Sequence, residues 1–170
     1  EGSEIDLKEM VNALPFKFSF IIFDACLMGG IEVAYELKDS TDYLLFSPAE
    51  ILASGFPYSK IMEHIFATPT DLESVAKEYY NFYNEQPATS RYATISLVKT
   101  SELEKVAEVA KEVFSANREK ISSLDASSVQ RYYRGSKHWF YDLGDFIEKI
   151  ATPQQLQSFV EALDDAVLYK

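Results

Sequence analysis

Cys26 is the only cysteine in this chain. No internal disulfide can form, and no zinc site built from several thiolates can exist. Positive charge is also scarce: 16 Lys and Arg stand against 27 Asp and Glu, a net charge of -11. A surface of that sign repels a phosphate backbone, so nucleic acid is excluded as an expected partner. Nowhere do apolar residues run uninterrupted for the ~18 positions that a membrane helix needs. The opening EGSEIDLKEM has neither the basic start nor the apolar centre of a secretory leader. A soluble chain without a membrane segment is expected. Histidine, the usual base for thiol chemistry, occurs only at His64 and His138.

What is present suits a folded core. Nearly half of the 170 residues are apolar and 14% are aromatic, enough for one domain-sized interior. Ile5, Met10, Val11 and Leu14 are spaced for a short amphipathic helix, and Pro15 stops it by disfavouring helical geometry in the residue before it. The run FKFSFIIFDAC, Phe16 to Cys26, alternates and then becomes continuously apolar, which predicts a largely buried strand. From Leu27 the spacing becomes helical through Ile31, Ala34 and Tyr35. A second strand is expected at Tyr43 to Phe46, and then SPAEILASGFPYS, a loop broken by Pro48, Gly55 and Pro57.

Three capping boxes announce later helices: Thr70 with Glu73, Ser101 with Glu104, and Thr152 with Gln155. YATISLV, Tyr92 to Val98, reads as a strand between the first two. HWFYDLGDFI is apolar enough for core but carries Asp142 and Asp145. Strands alternating with helices predict an α/β fold, a mainly parallel sheet with helices on both faces.

In open α/β sheets ligands bind at the carboxyl ends of the strands. Cys26 stands at that end of the first long strand. A helix beginning just after it would aim free N–H groups at the sulfur, which suits a nucleophile. A free cysteine is equally at home as a small buried apolar side chain, so position leaves both roles open. Asp24 lies two residues earlier, on the same side of an extended chain. It is a solvated strand-end residue, an orienter of a histidine, or a partner for a cationic substrate group. Its charge beside a thiolate is unfavourable, and an arriving cation would relieve the conflict. His64, in KIMEHIF, reads as a half-buried helix residue, and His138 beside Trp139 as a packing or loop residue. Nothing in their spacing brings either near Cys26.

FIIFDACLMGGIEVAYEL, followed by YLLFSPAEILASGFPY and later FYDLGDFI, resembles the clostripain-like cysteine peptidases. The resemblance covers most of 16–57 and returns at 139–147. It implies a caspase-like, three-layer sandwich in which residues 1–170 are one portion of a single peptidase domain. It also implies that Cys26 of the Asp-Ala-Cys motif is the nucleophile and that Asp24 helps form an acidic pocket for Arg or Lys. A second pocket acid is expected before the Gly-x-Pro-Tyr segment, yet Ser54 stands there, so basic specificity falls to Asp24 with Glu50 in support. A carboxylate can grip a guanidinium bidentately, which would favour Arg over Lys.

The histidine of such enzymes precedes the cysteine, in a His-Gly context at the end of the neighbouring strand. None precedes Cys26 here, and the resemblance supplies an explanation: a precursor cut between the two residues, leaving a companion N-terminal chain that carries the histidine. Glu1 is then a new N-terminus, and Lys170 looks like the end left by cleavage after a basic residue. The implied substrates are proteins or peptides with a basic residue before the scissile bond. The implied setting is bacterial, secreted or at the cell envelope. No cofactor is required, some relatives use calcium, and the scattered acids define no calcium loop. Two other readings compete: a non-catalytic binding domain with Cys26 buried, and a caspase-like peptidase with non-basic specificity.

Overall fold

A computed structural model describes residues 5–134 and 137–170, and says nothing of the side chains of 133–139. The first helix, α1 (Leu7–Ala13), is capped by Asp6, which accepts from Lys8 N–H, and it ends just before Pro15. β1 (Phe18–Ile22), α2 (Ile31–Glu36) and β2 (Thr41–Phe46) form a parallel β-α-β unit. Then come α3 (Tyr58–Ile65), α4 (Leu72–Asn84) and β3 (Ser96–Lys99). α5 (Leu103–Ala116) and α6 (Arg118–Ser123) lead to a hairpin of β4 (Arg131–Arg134) and β5 (Lys137–Tyr141). The chain closes with α7 (Leu143–Ile150), α8 (Pro153–Ala166) and β6 (Val167–Tyr169).

The main sheet has the order β1-β2-β3-β6. β2 is parallel to β1, β3 is antiparallel to β2, and β6 is antiparallel to β3. Three strands therefore point one way, and the short β3 reverses. The α/β class with helices on both faces is as the sequence predicts, whereas the sheet is mixed. Some fifty residues separate β2 from β3, long enough for either direction, so only packing decides it.

Successive strand residues face opposite layers, and the core divides accordingly. Leu44, Phe46 and Val98 pack with Ala34, Val106, Val113, Ile147 and Phe159 of α2, α5, α7 and α8. Leu45 and Leu97 pack on the other side with Ile61, Val75, Tyr79 and Tyr83 of α3 and α4. Each fully buried Leu or Phe contributes about 1.5–3 kcal/mol.

Two local expectations are overturned. β1 is half-buried rather than buried, because among the described residues it pairs only with β2 and its other edge stays open. Phe16, just before it, is 64% exposed. Of the three expected capping boxes only Thr152 with Gln155 forms. Asp71 caps α4 instead of Thr70, whose hydroxyl donates to the Ile65 carbonyl, and Ser101 lies inside a 3-10 turn ahead of α5.

Candidate active site

β1 ends at Ile22, but its pairing with the β2 side continues for several residues. Phe23 N–H donates to Leu45 O, then Leu27 N–H to Ala49 O and Gly29 N–H to Ser47 O. The last two bonds run in reverse order, so the chain has turned back between them. Leu27 is the turning residue, with φ of 62°. That conformation is uncommon for a branched side chain and is held here by the flanking hydrogen bonds. Gly29 makes the return possible: a Cβ there would collide with the backbone of Ser47 and Pro48. Cys26 thus sits at the tip of a rigid bend, one residue before its strained position.

The bend is braced from the second loop. Ser47, fully buried, accepts from Ala49 N–H, contacts the Ala49 carbonyl, and meets the Thr94 hydroxyl at 2.8 Å. α2 starts only at Ile31 and is capped by Gly30, so the expected helix N-terminus does not begin beside Cys26. The N–H that reaches the sulfur comes from Ile51, 3.3 Å away, and the thiol faces the Ile51 carbonyl at 3.5 Å. Cys26 is exposed. The reading that needed a buried thiol fails, because the bend carries the side chain out of the core.

Asp24 turns into the same loop. Its Oδ2 accepts from the Tyr58 hydroxyl at 2.8 Å and from Phe56 N–H at 3.4 Å. Gly55 lies against the carboxylate with φ of 61°, and a Cβ there would fall 2.7 Å from Oδ2. Residue 55 must therefore be glycine for two reasons, backbone conformation and contact. Tyr83 of α4 donates to Gly55 O at 2.9 Å and fixes the loop from beneath.

A stack of rings supports this arrangement: Phe56 to Tyr79 at 4.5 Å between centroids, and Tyr79 to Tyr83 at 5.0 Å. Donation to Asp24 raises the Tyr58 pKa above its ordinary 10, with burial adding to it. Burial first, then the Asp24 charge, raises Tyr83. Burial also raises Tyr79, whose enclosed hydroxyl finds no hydrogen-bond partner among the described residues.

The segment 51–58 therefore brings Asp24 and Cys26 together. Glu50 and Ser54 lie on that loop or at its edge, both exposed, and among the described residues neither hydrogen-bonds to Asp24 or Cys26. Ile51, Gly55, Tyr58 and Tyr83 were not singled out by the sequence for these contacts. His64 lies in the last turn of α3, with Nε2 3.8 Å from Glu63. The side chain of His138 is outside the described residues. Among the described residues no three His, Cys, Asp or Glu side chains gather where they could hold a metal ion. An apolar crevice of about 1100 Å³ is lined by Leu27, Gly30, Phe46, Pro48 and Phe140. None of Asp24, Cys26, Glu50 or Ser54 lines it.

Residues 1–170 match the model of the clostripain family over their whole length. The chain belongs to the clostripain family. An inactive zymogen C11 protease from Parabacteroides distasonis is 33% identical, with a TM-score of 0.86 over 96% of this chain. A clostripain from Bacteroides thetaiotaomicron, solved with the peptide inhibitor BTN-VLTK-AOMK, is 31% identical, with a TM-score of 0.87 over 98% of this chain and 74% of its own. A secreted C11 cysteine protease from the same species is 30% identical, with a TM-score of 0.85 over 96% of this chain. The chain spans 47% of the zymogen and 46% of the secreted protease. No curated protein matches it. The caspase-like architecture expected from the sequence is that of these clostripain-family structures. Among the described residues no helix is long and apolar enough to cross a membrane.

Proposed function

We propose that this chain is the cysteine-bearing part of a cysteine endopeptidase that cuts after a basic residue. The observation that carries the reading is the shared loop, which holds the exposed thiol of Cys26 and the carboxylate of Asp24 at the end of one strand. In the mechanism, a histidine on a companion N-terminal chain takes the Cys26 proton. The sulfur pair forms a bond to the carbonyl carbon of the scissile bond, and the π pair of the carbonyl moves to the oxygen, which the Cys26 backbone N–H helps to hold. The amine leaves with the proton from the imidazolium, and water then releases the acyl group. Ile51 N–H remains a donor to sulfur after the proton has left. The route needs no cofactor, and chelation tests whether calcium takes part.

Asp24 receives the cationic side chain before the scissile bond. The relative bound to VLTK supports a basic residue there, since that peptide ends in lysine. The edge of β1 that is open among the described residues supports the companion chain: Phe18 and Phe20 are half-buried, and a strand laid there would end beside Cys26. The naming of one relative as secreted and another as a zymogen supports secretion and processing here. Ser54, standing where a second acid is expected, favours a second reading, a peptidase of non-basic specificity. A panel of peptides varied only at the residue before the scissile bond separates the two. Intact mass of the native protein should also reveal a second, co-purifying polypeptide, and a lone active species of 170 residues would contradict the split-chain reading.

A further inference from the structure

We propose that Tyr58 sets the choice between lysine and arginine at this site, in favour of lysine. The proposal rests on Asp24 being the carboxylate that meets the basic side chain. A carboxylate prefers to bind guanidinium through two parallel N–H···O bonds, one to each oxygen, and that geometry is the source of arginine's advantage. Asp24 does not offer both oxygens. Oδ2 accepts from the Tyr58 hydroxyl at 2.8 Å and from Phe56 N–H at 3.4 Å, which uses its two lone pairs. Among the described residues no donor reaches Oδ1.

Nor can the carboxylate rotate freely to present another edge. Gly55 lies close enough that a Cβ would come within 2.7 Å of Oδ2 and 3.1 Å of Oδ1. The Tyr83 hydroxyl pins that glycine from below. One free oxygen suits an ammonium, a compact charge whose three donors can each use a single acceptor. A guanidinium at the same oxygen loses its second parallel bond. Among the described residues no second acid bonds at Asp24: Ser54 stands in the place where one is expected, and Glu50 makes no hydrogen bond to it. The arginine preference implied by an unoccupied carboxylate is thereby reversed.

The test uses the processed full-length protein as wild type, Tyr58→Phe and Asp24→Asn, with two peptides differing only in Lys or Arg before the scissile bond. The wild type should cleave the lysine peptide with the higher kcat/KM. Tyr58→Phe frees one lone pair of Oδ2 and should move the Arg-to-Lys ratio towards arginine by about tenfold or more, the scale of one charge-assisted hydrogen bond. Asp24→Asn should depress both peptides. Equal loss on both peptides in Tyr58→Phe, or an unchanged ratio, overturns the role of Tyr58 and leaves that of Asp24 standing. Unchanged rates in Asp24→Asn remove both. Tyr58 is 52% exposed, so the fold should survive the loss of its hydroxyl, and Tyr58→Leu should shift the ratio in the same direction.

Discussion

Tyr83 of α4 donates its hydroxyl to the carbonyl of Gly55 at 2.9 Å, across 28 positions of sequence. That bond joins the helical layer to the loop that cradles Asp24 and Cys26. The site is thus supported from the core rather than from the neighbouring loop residues alone. Tyr79, adjacent in the ring stack, is the opposite case, since among the described residues its buried hydroxyl has no partner. Removing each hydroxyl should therefore have opposite consequences. Tyr83→Phe should lose about 1 kcal/mol of stability and loosen the loop, while Tyr79→Phe should be neutral or stabilising. Urea unfolding of the two variants, side by side, measures the contrast.

Gly55 offers a more local probe. Ala at this position would adopt a positive φ at a cost of roughly 1 kcal/mol, and its methyl would press on the Asp24 carboxylate. Steady-state kinetics on a basic peptide should show a raised KM as well as a lower melting temperature. An unaltered KM would mean that the carboxylate is not where substrate binds.

The start of α4 carries a pH dependence with a definite sign. Asp71 has its pKa lowered from 3.8, chiefly by Ser74 N–H and then by the Ser74 hydroxyl. A group whose pKa is lower in the folded state contributes stability above its unfolded value, and that contribution is lost as pH falls through the folded one. Asp71→Ala should lower stability at neutral pH by about 1 kcal/mol. Thermal melts should show the gap to wild type closing as pH falls below about 3.8. Thr70→Ala should leave this pH dependence intact, because Asp71 and not Thr70 is the cap.

What the sequence reveals of this molecule is what its short-range chemistry decides. Pro15 ends α1, Thr152 and Gln155 close a capping box across three positions, and the breakers Pro48, Gly55 and Pro57 mark an irregular loop. Where two local candidates compete, pattern alone chooses badly, as with Thr70 beside Asp71. The bend at Cys26 was hidden for a different reason. Glycines at 29 and 30 look like an ordinary strand-to-helix turn, and only the reversed hydrogen bonds of Leu27 and Gly29 to the second loop, with Gly29 packed against Pro48, show that the chain folds back and delays α2 to Ile31. Asp24 and Cys26 could be singled out from position and resemblance. Their partners could not, because Ile51 and Tyr58 lie 25 and 34 residues away and reach them through the tertiary fold.

Covalent labelling of the processed full-length protein decides whether Cys26 is the nucleophile. A peptidyl acyloxymethylketone ending in lysine should add one equivalent of mass, located on Cys26 by peptide mapping, as activity disappears in proportion. Cys26→Ala should neither label nor cleave. Labelling elsewhere, or full activity with Cys26 unmodified or replaced, would contradict the assignment.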